Sequence, residues 1–274
     1  MTVTLDSLLA GARDPIEIVK AQLTSEGAGT FQSLWLSTGN PAAGVAPPAF
    51  SVGSGYVPTR ATLGALGQVD AANGSESRVT GLSATSSTAG RLFIYDRLWA
   101  CSGFGTVVTT AQNVVTGGAL PTGRLKNGVD DYSDCELWGE VYTAPGATTA
   151  TWTATAPDGG NTSRAFTYTH PANAETVGQM FQFVRPAASA AGCRVPTVFQ
   201  CSASSGTAGS IGLTVLRKIA VIDLALINVG AFRSAIDLGL KRIRDDACLA
   251  MMVQCTTTNT GALSASLGYS SVVP

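Results

Sequence analysis

The chain of 274 residues carries a single histidine, His170, in Thr169-His170-Pro171. Nucleophilic catalysis would need that imidazole beside a nucleophile and an orienting carboxylate. No Gly-x-Ser-x-Gly elbow accompanies it, and its place at the end of an extended run suits a surface or hydrogen-bonding residue. The acidic run Asp130, Asp131, Asp134 and Glu136 lacks the alternating spacing and central glycine of a Ca²⁺ loop, so a solvated loop is expected there. Gly53-Ser54-Gly55-Tyr56 is not followed by the Lys-Ser/Thr of a phosphate cradle. Arg217-Lys218 and the cluster Lys241, Arg242, Arg244 are too few, and too near aspartates, to track a nucleic-acid backbone. Trp35, Trp99, Trp138 and Trp152 could stack on sugars, but their separate apolar contexts fit a core better. The sequence therefore offers no catalytic, cofactor-binding or metal-binding set.

Six cysteines remain: Cys101, Cys135, Cys193, Cys201, Cys248 and Cys255. They form no Cys-x-x-Cys pair, whereas zinc or iron–sulfur sites show close pairing and more histidine. Two readings stand. One is small buried hydrophobes, the usual place of a free cysteine. The other is disulfides made after release from a reducing cytosol, with Cys193–Cys201 and Cys248–Cys255 as candidate pairs because each cysteine lies near the end of an expected strand.

Composition sets the class. Lys and Arg number 17 against 18 Asp and Glu, a formal charge of −1, and charged residues are 13% of the chain, about half the usual ~25%. With hydrophobics at 45% the chain can build a core, which excludes disorder. The near-neutral balance excludes a nucleic-acid track. Net charge near zero favours association, and interface cores are depleted in charge, so part of the surface is expected to be covered by partners. The longest apolar stretch, Ile219–Val229, is broken by Asp223 and falls short of the ~20 residues of a membrane span. The first twenty residues have neither a basic region nor a small-residue cleavage site.

The elements that must carry these residues are mostly strands. The runs TVVTTAQNVV, ELWGEVYT, TTATWTATA, RAFTYT, QMFQFVR, VPTVFQC, SIGLTVLRK and ACLAMMVQCT are rich in Val, Thr and aromatics and are bounded by Gly, Pro, Asn and Asp. In the clearest hairpin Ala150, Trp152 and Ala154 share one face, Phe166 and Tyr168 share one face of the return arm, and Pro157–Asn161 makes the turn. Such runs predict a mainly β chain, an antiparallel sandwich or jelly-roll-like domain. A partly helical, Pro/Gly-rich region precedes it. There, Asp14-Pro15 followed by Ile16, Val19 and Leu23 predicts a short helix, and Phe31, Leu34 and Trp35 a second helical turn. The uncharged Pro41–Pro58 stretch is expected to be an arm pressed against a neighbour. Residues 1–58 are thus expected as an arm and 59–274 as the β domain. Gly90–Gly103 is read as a strand turning into a helix near Asp96, Val229–Ile236 as loop or brief helix, and Gly261–Tyr269 as a last strand.

The blocks Arg91–Gln112, Glu136–Arg164 and Leu216–Gly261 resemble a group of tailed-bacteriophage virion proteins, a likeness that runs from about Gly27 to Tyr269. The resemblance implies a structural, non-enzymatic role: a capsid decoration (cement) protein, or else a neck, tail or fibre-attachment component. It implies the major capsid protein and further copies of this chain as partners, the latter as a homotrimer, with no nucleic acid, membrane or cofactor. It places the protein on the virion capsid surface after synthesis in the host cytoplasm.

Overall fold

The computed structural model describes residues 3–21, 27–51, 55–71, 74–115, 119–128, 130–172, 175–258 and 261–273. A short helix α1 (Leu5–Ala10) leads into β1 (Ile16–Ala21), β2 (Phe31–Ser33) and β3 (Gly39–Asn40). The long strands β4 (Glu76–Ser86) and β5 (Gly90–Gly105) follow, then β6 (Gln112–Asn113), a 3₁₀ turn at Thr122–Arg124, and β7 (Cys135–Thr143). Next come β8 (Ala150–Pro157), β9 (Ser163–His170), β10 (Gln179–Gln182), β11 (Val198–Cys201) and β12 (Ser210–Leu224). The chain ends with β13 (Ala231–Ser234), β14 (Arg242–Ile243), β15 (Leu249–Cys255) and β16 (Ala262–Val272).

Strands β10-β2-β15-β5-β12-β7 close into a barrel. A first flanking sheet has the order β13-β4-β16-β1-β3, with β14 also on β4, and a second has the order β6-β11-β8-β9. Every strand pair is antiparallel, so the class is the mainly β, sandwich-like one that the alternating runs imply. Closure matters because it leaves the barrel no free edge.

Four core clusters form among the described residues, the smallest made of Trp35, Ala65 and Cys248. The barrel interior takes a large side chain from each stave: Phe31, Phe93, Tyr95, Trp138, Met180, Leu216 and Met252. Leu92 and Ile94 of β5 and Ile222 and Leu224 of β12 pack with Leu82, Leu263 and Leu267 of the first sheet. The other ends of β5 and β12, through Trp99, Phe104, Ile211 and Leu213, pack with Trp152, Phe166 and Phe199 of the second. The β8–β9 hairpin forms as predicted, with the apolar faces of the two arms paired: Trp152 lies opposite Tyr168 and Ala154 opposite Phe166. Its turn is held by Asp158, whose Oδ1 accepts from the Thr162 N–H at 3.0 Å, and by Asn161 at φ +65°.

The N-terminal region differs from its expectation. Ile16–Ala21 is a strand, not a helix: Ile18 and Lys20 point inward, and the segment pairs along Ala262–Leu267 of β16. Leu23 lies outside the described residues. Phe31–Ser33 is a barrel stave, paired with β10 and β15, rather than a helical turn. Six or fewer residues gain little from helix propensity, so strand pairing decides. The Pro-rich stretch is covered by its own chain: Phe50 N–H donates to Ser102 C=O, Tyr56 exchanges hydrogen bonds with Ala100, and Phe50 stacks on Phe104 at 4.5 Å. Residues 1–58, expected as an arm, are woven into the barrel and the first sheet.

Two further expectations are corrected. Gly90–Gly105 is one uninterrupted strand. Its pairing with β12 shifts register at Val215/Leu216 and Lys218/Ala220, and such bulges switch which residues face inward. That switch buries Leu98 and Trp99 together, the spacing that mimics a helix. Ala231–Ser234, expected as loop or brief helix, is strand β13 at the edge of the first sheet.

Candidate functional site: an apolar corner outside, charge inside

Position 97 of β5 points into the barrel, where Arg97 Nη2 donates to Glu140 Oε2 at 2.7 Å and to Tyr142 Oη at 2.9 Å. Tyr142 in turn donates to the same Oε2 at 2.5 Å, and the guanidinium lies 4.8 Å over the Trp35 ring. Burial works against the Arg97 charge, but Tyr142 and Glu140 outweigh it and hold the pKa above its ordinary value. A cavity of about 20 Å³, lined by Ser33, Tyr95, Arg97, Glu140 and Thr214, is large enough for one water. Position 96 points the other way. Asp96 is gripped by Arg124, accepts from the Cys248 N–H at 3.0 Å, and has Arg217 at 3.7 Å. Lys20 is also buried; its Nζ donates to Ser37 C=O at 2.8 Å, and desolvation pushes its pKa down to about 8.

His170 is buried rather than on the surface. Its Nδ1 lies 3.0 Å from Thr148 C=O, and a carbonyl can only accept, so Nδ1 carries the hydrogen. Its Nε2 faces Glu175 Oε2 at 3.8 Å, Tyr168 donates to Glu175 Oε1 at 2.6 Å, and the imidazole lies 4.3 Å from the Trp152 ring. Burial pushes Glu175 up to about 7, against the Tyr168 hydrogen bond, and lowers His170, against the Thr148 bond. Oppositely shifted groups of this kind suit acid–base work, but the pair is sealed from solvent by its own hairpin.

The remaining candidates do not converge. Asp131 accepts from Ser133 N–H and Asn127 within its own turn, while Glu136 accepts from Trp138 Nε1 at 2.9 Å. Among the described residues no group of three or more His, Cys, Asp or Glu could hold a metal ion, and no helix is long and apolar enough to cross a membrane. All four tryptophans are buried, so none offers a face to a sugar.

Within one chain, the pairs Cys193–Cys201 and Cys248–Cys255 are too far apart to bond. Cys201 pairs opposite Trp152, and Cys193 bridges Asp158 six residues along β8, which at ~3.3 Å per residue is about 20 Å. Cys248 and Cys255 lie at opposite ends of β15, about 23 Å apart by the same rise, whereas a disulfide needs Cα atoms within ~7 Å. All four side chains are buried, and desolvation pushes the Cys201 and Cys248 thiols up to about 12 and Cys193 well above its ordinary value, so thiolate is scarce.

The surface shows the opposite composition. Lys20, Arg97, Arg124, Arg217 and Arg244, with Glu76, Asp96, Glu140, Asp158 and Glu175, are buried in a chain that has few charges to begin with. Large apolar side chains are left outside. Leu5 and Leu9 project from α1, which buries no residue of its own. Leu226, Ile227, Val229, Phe232 and Ile236, the last 88% exposed, crowd the corner between β12 and the turn after β13. The sequence pattern missed this corner because an exposed apolar run and a buried one have the same spelling.

No protein-family model matches the chain, and a search of characterised proteins finds no match. Among solved structures, the VP2 subviral particle of infectious bursal disease virus aligns over 100% of this chain and 83% of its own, with 8% identity and a TM-score of 0.23. The Gx strain of the same virus aligns over 96% and 82%, with 9% identity and a TM-score of 0.20. Two copies of one fold superpose far better than this, so the functional reading rests on the chain's own surface.

Proposed function

We propose that this protein is a structural component of a tailed-bacteriophage virion, one that decorates and stabilises the capsid by binding its lattice together with further copies of itself, and that its role is not enzymatic. One observation supports this above the rest: ten charged side chains are buried, while Leu226, Ile227, Val229, Phe232 and Ile236, close together in the chain, are exposed. Exposed apolar patches of that kind mark protein contact sites. A partner that binds the assembled shell, and not its free subunits, stabilises the shell by mass action. Quantitative mass spectrometry of purified virions tests the reading. Hundreds of copies per particle support capsid decoration. Six or twelve, the numbers of symmetric neck and tail rings, would move the protein to the neck or tail, and absence from the particle would overturn the virion role.

A further inference from the structure

The corner is also a sheet edge. Strand β13 pairs with β4 on one side, and among the described residues no strand lies on the other. Open edges are ordinarily blunted by lysine, proline or a bulge. Ala231-Phe232-Arg233-Ser234 is short and carries Arg233, but it has no lysine, proline or bulge and pairs with β4 in even register. Ala231 faces the first core, so Phe232 stands on the opposite, solvent face, 68% exposed, with its ring over Gly81. Arg233 and Arg91 share Asp223 at 2.7 Å each, so Arg233 is partly held back onto its own chain.

We propose that a second copy of this chain is the occupant of this edge, its β13 added antiparallel across a two-fold axis so that the first sheets of two molecules become one. The inference takes from the proposed function only that the protein associates with itself. An antiparallel pair of identical strands is generated by a two-fold, and residues directly opposite share a face. Two registers overlap best. Centring on Arg233 sets two arginines opposite each other, which is destabilising. Centring on Phe232 sets the two phenylalanine rings together, an aromatic cross-strand pair, and brings the 226–229 loop of one copy towards Ile236 of the other. The five apolar side chains, from 50% exposed for Val229 to 88% for Ile236, add apolar surface beside the strand edge to what a self-associating interface covers, about 800 Å² per partner in a standard one.

The test uses the full chain in solution. Native mass spectrometry and sedimentation equilibrium at about 100 μM, high enough to populate weak self-association, should give twice the 27.9 kDa chain mass. The double variant Phe232→Asp/Ile236→Asp should dissociate at least about 100-fold more readily, with its circular dichroism unchanged. In Phe232→Cys, mild oxidation should cross-link the chain to itself, because the axis passes through that position, while Ser83→Cys on the neighbouring strand should not. A monomeric wild type, a trimer, or a dimer that survives the double variant would overturn the proposal. None of these results bears on the virion copy number, so the two readings fail separately.

Discussion

Inside the barrel, position 97 of β5 is an arginine that faces a glutamate across 2.7 Å; at the corner, position 232 of β13 is a phenylalanine that faces water. The first site is closed and its two charges face each other, so its worth lies in conformational uniqueness. A buried ion pair contributes little net stability over an apolar replacement but is costly to break by halves. The second site leaves apolar surface uncovered, which costs nothing in the folded monomer beyond a forgone burial and becomes favourable when a partner covers it. The two regions therefore separate what holds the monomer from what joins it to others. Substitutions inside should change folding and leave association alone, and substitutions at the corner should do the reverse.

The largest expected effect comes from removing residues 1–58. That deletion takes out β2, a stave between β10 and β15, together with the buried Ile18, Leu34 and Trp35. Losing such side chains at about 2–3 kcal/mol each, and opening the barrel as well, exceeds the ~5–15 kcal/mol that holds an ordinary domain. The truncated chain should show no cooperative thermal transition, and a native-like melt would show that the barrel does not need this stave.

Next in size is Arg97→Met, which strands Glu140 and should cost about 3–5 kcal/mol in urea-denaturation experiments. The double variant Arg97→Met/Glu140→Leu removes both charges and should recover most of that loss. If the single and double variants lose equally, the packing of Arg97 on Trp35, rather than its charge, is what matters.

How much of this was legible in the sequence differs between the two regions for the same reason. The β8–β9 hairpin could be read because alternation is a local property, and Trp152, Ala154 and Phe166 fell on the face predicted. The strand β5 could not, because its bulges against β12 shift parity midway and no local pattern records a partner's register. The ion pairs were invisible for a related reason: Arg97 and Glu140 lie 43 residues apart, and Asp96 and Arg124 lie 28 apart. The corner was hidden differently. Nothing in Leu226, Ile227 and Val229 says whether the apolar side chains are covered by the same chain or by another.

A smaller effect concerns pH and the His170–Glu175 pair. Glu175 titrates near 7 when folded and near 4.5 when unfolded, so its contribution is full below pH 4.5 and is lost as pH rises towards 7. His170 is lowered from 6.5, so its contribution is full above 6.5 and is lost as pH falls below that. Between 4.5 and 6.5 each state of the wild type holds one proton on the pair, and the two slopes offset each other. Single variants should expose them with opposite sign. Glu175→Gln should be more stable at pH 7 than at pH 5, and His170→Phe should be more stable at pH 5 than at pH 7, the latter by about 1–3 kcal/mol. Urea midpoints at the two values check this, and parallel slopes in both variants would show that the two groups do not share a proton.

The smallest expected effect on folding is at the corner, and its smallness is the point. Ile236 is 88% exposed, sits in the turn that Asp237 closes by accepting from Ser234 N–H at 3.0 Å and Ser234 Oγ at 2.8 Å, and belongs to no core. Replacing it removes almost no buried area, so Ile236→Ser should leave the urea midpoint within about 0.5 kcal/mol of wild type. An isoleucine left in water gives the free monomer nothing that a serine does not. It gains value only when covered, and then by about 25 cal/mol for each Å² removed from solvent. The same substitution should therefore weaken self-association measurably while the monomer's stability stays where it was. A loss of folding stability above 1 kcal/mol, with association unchanged, would show that Ile236 packs within its own chain and would move the apolar corner from the surface to the fold.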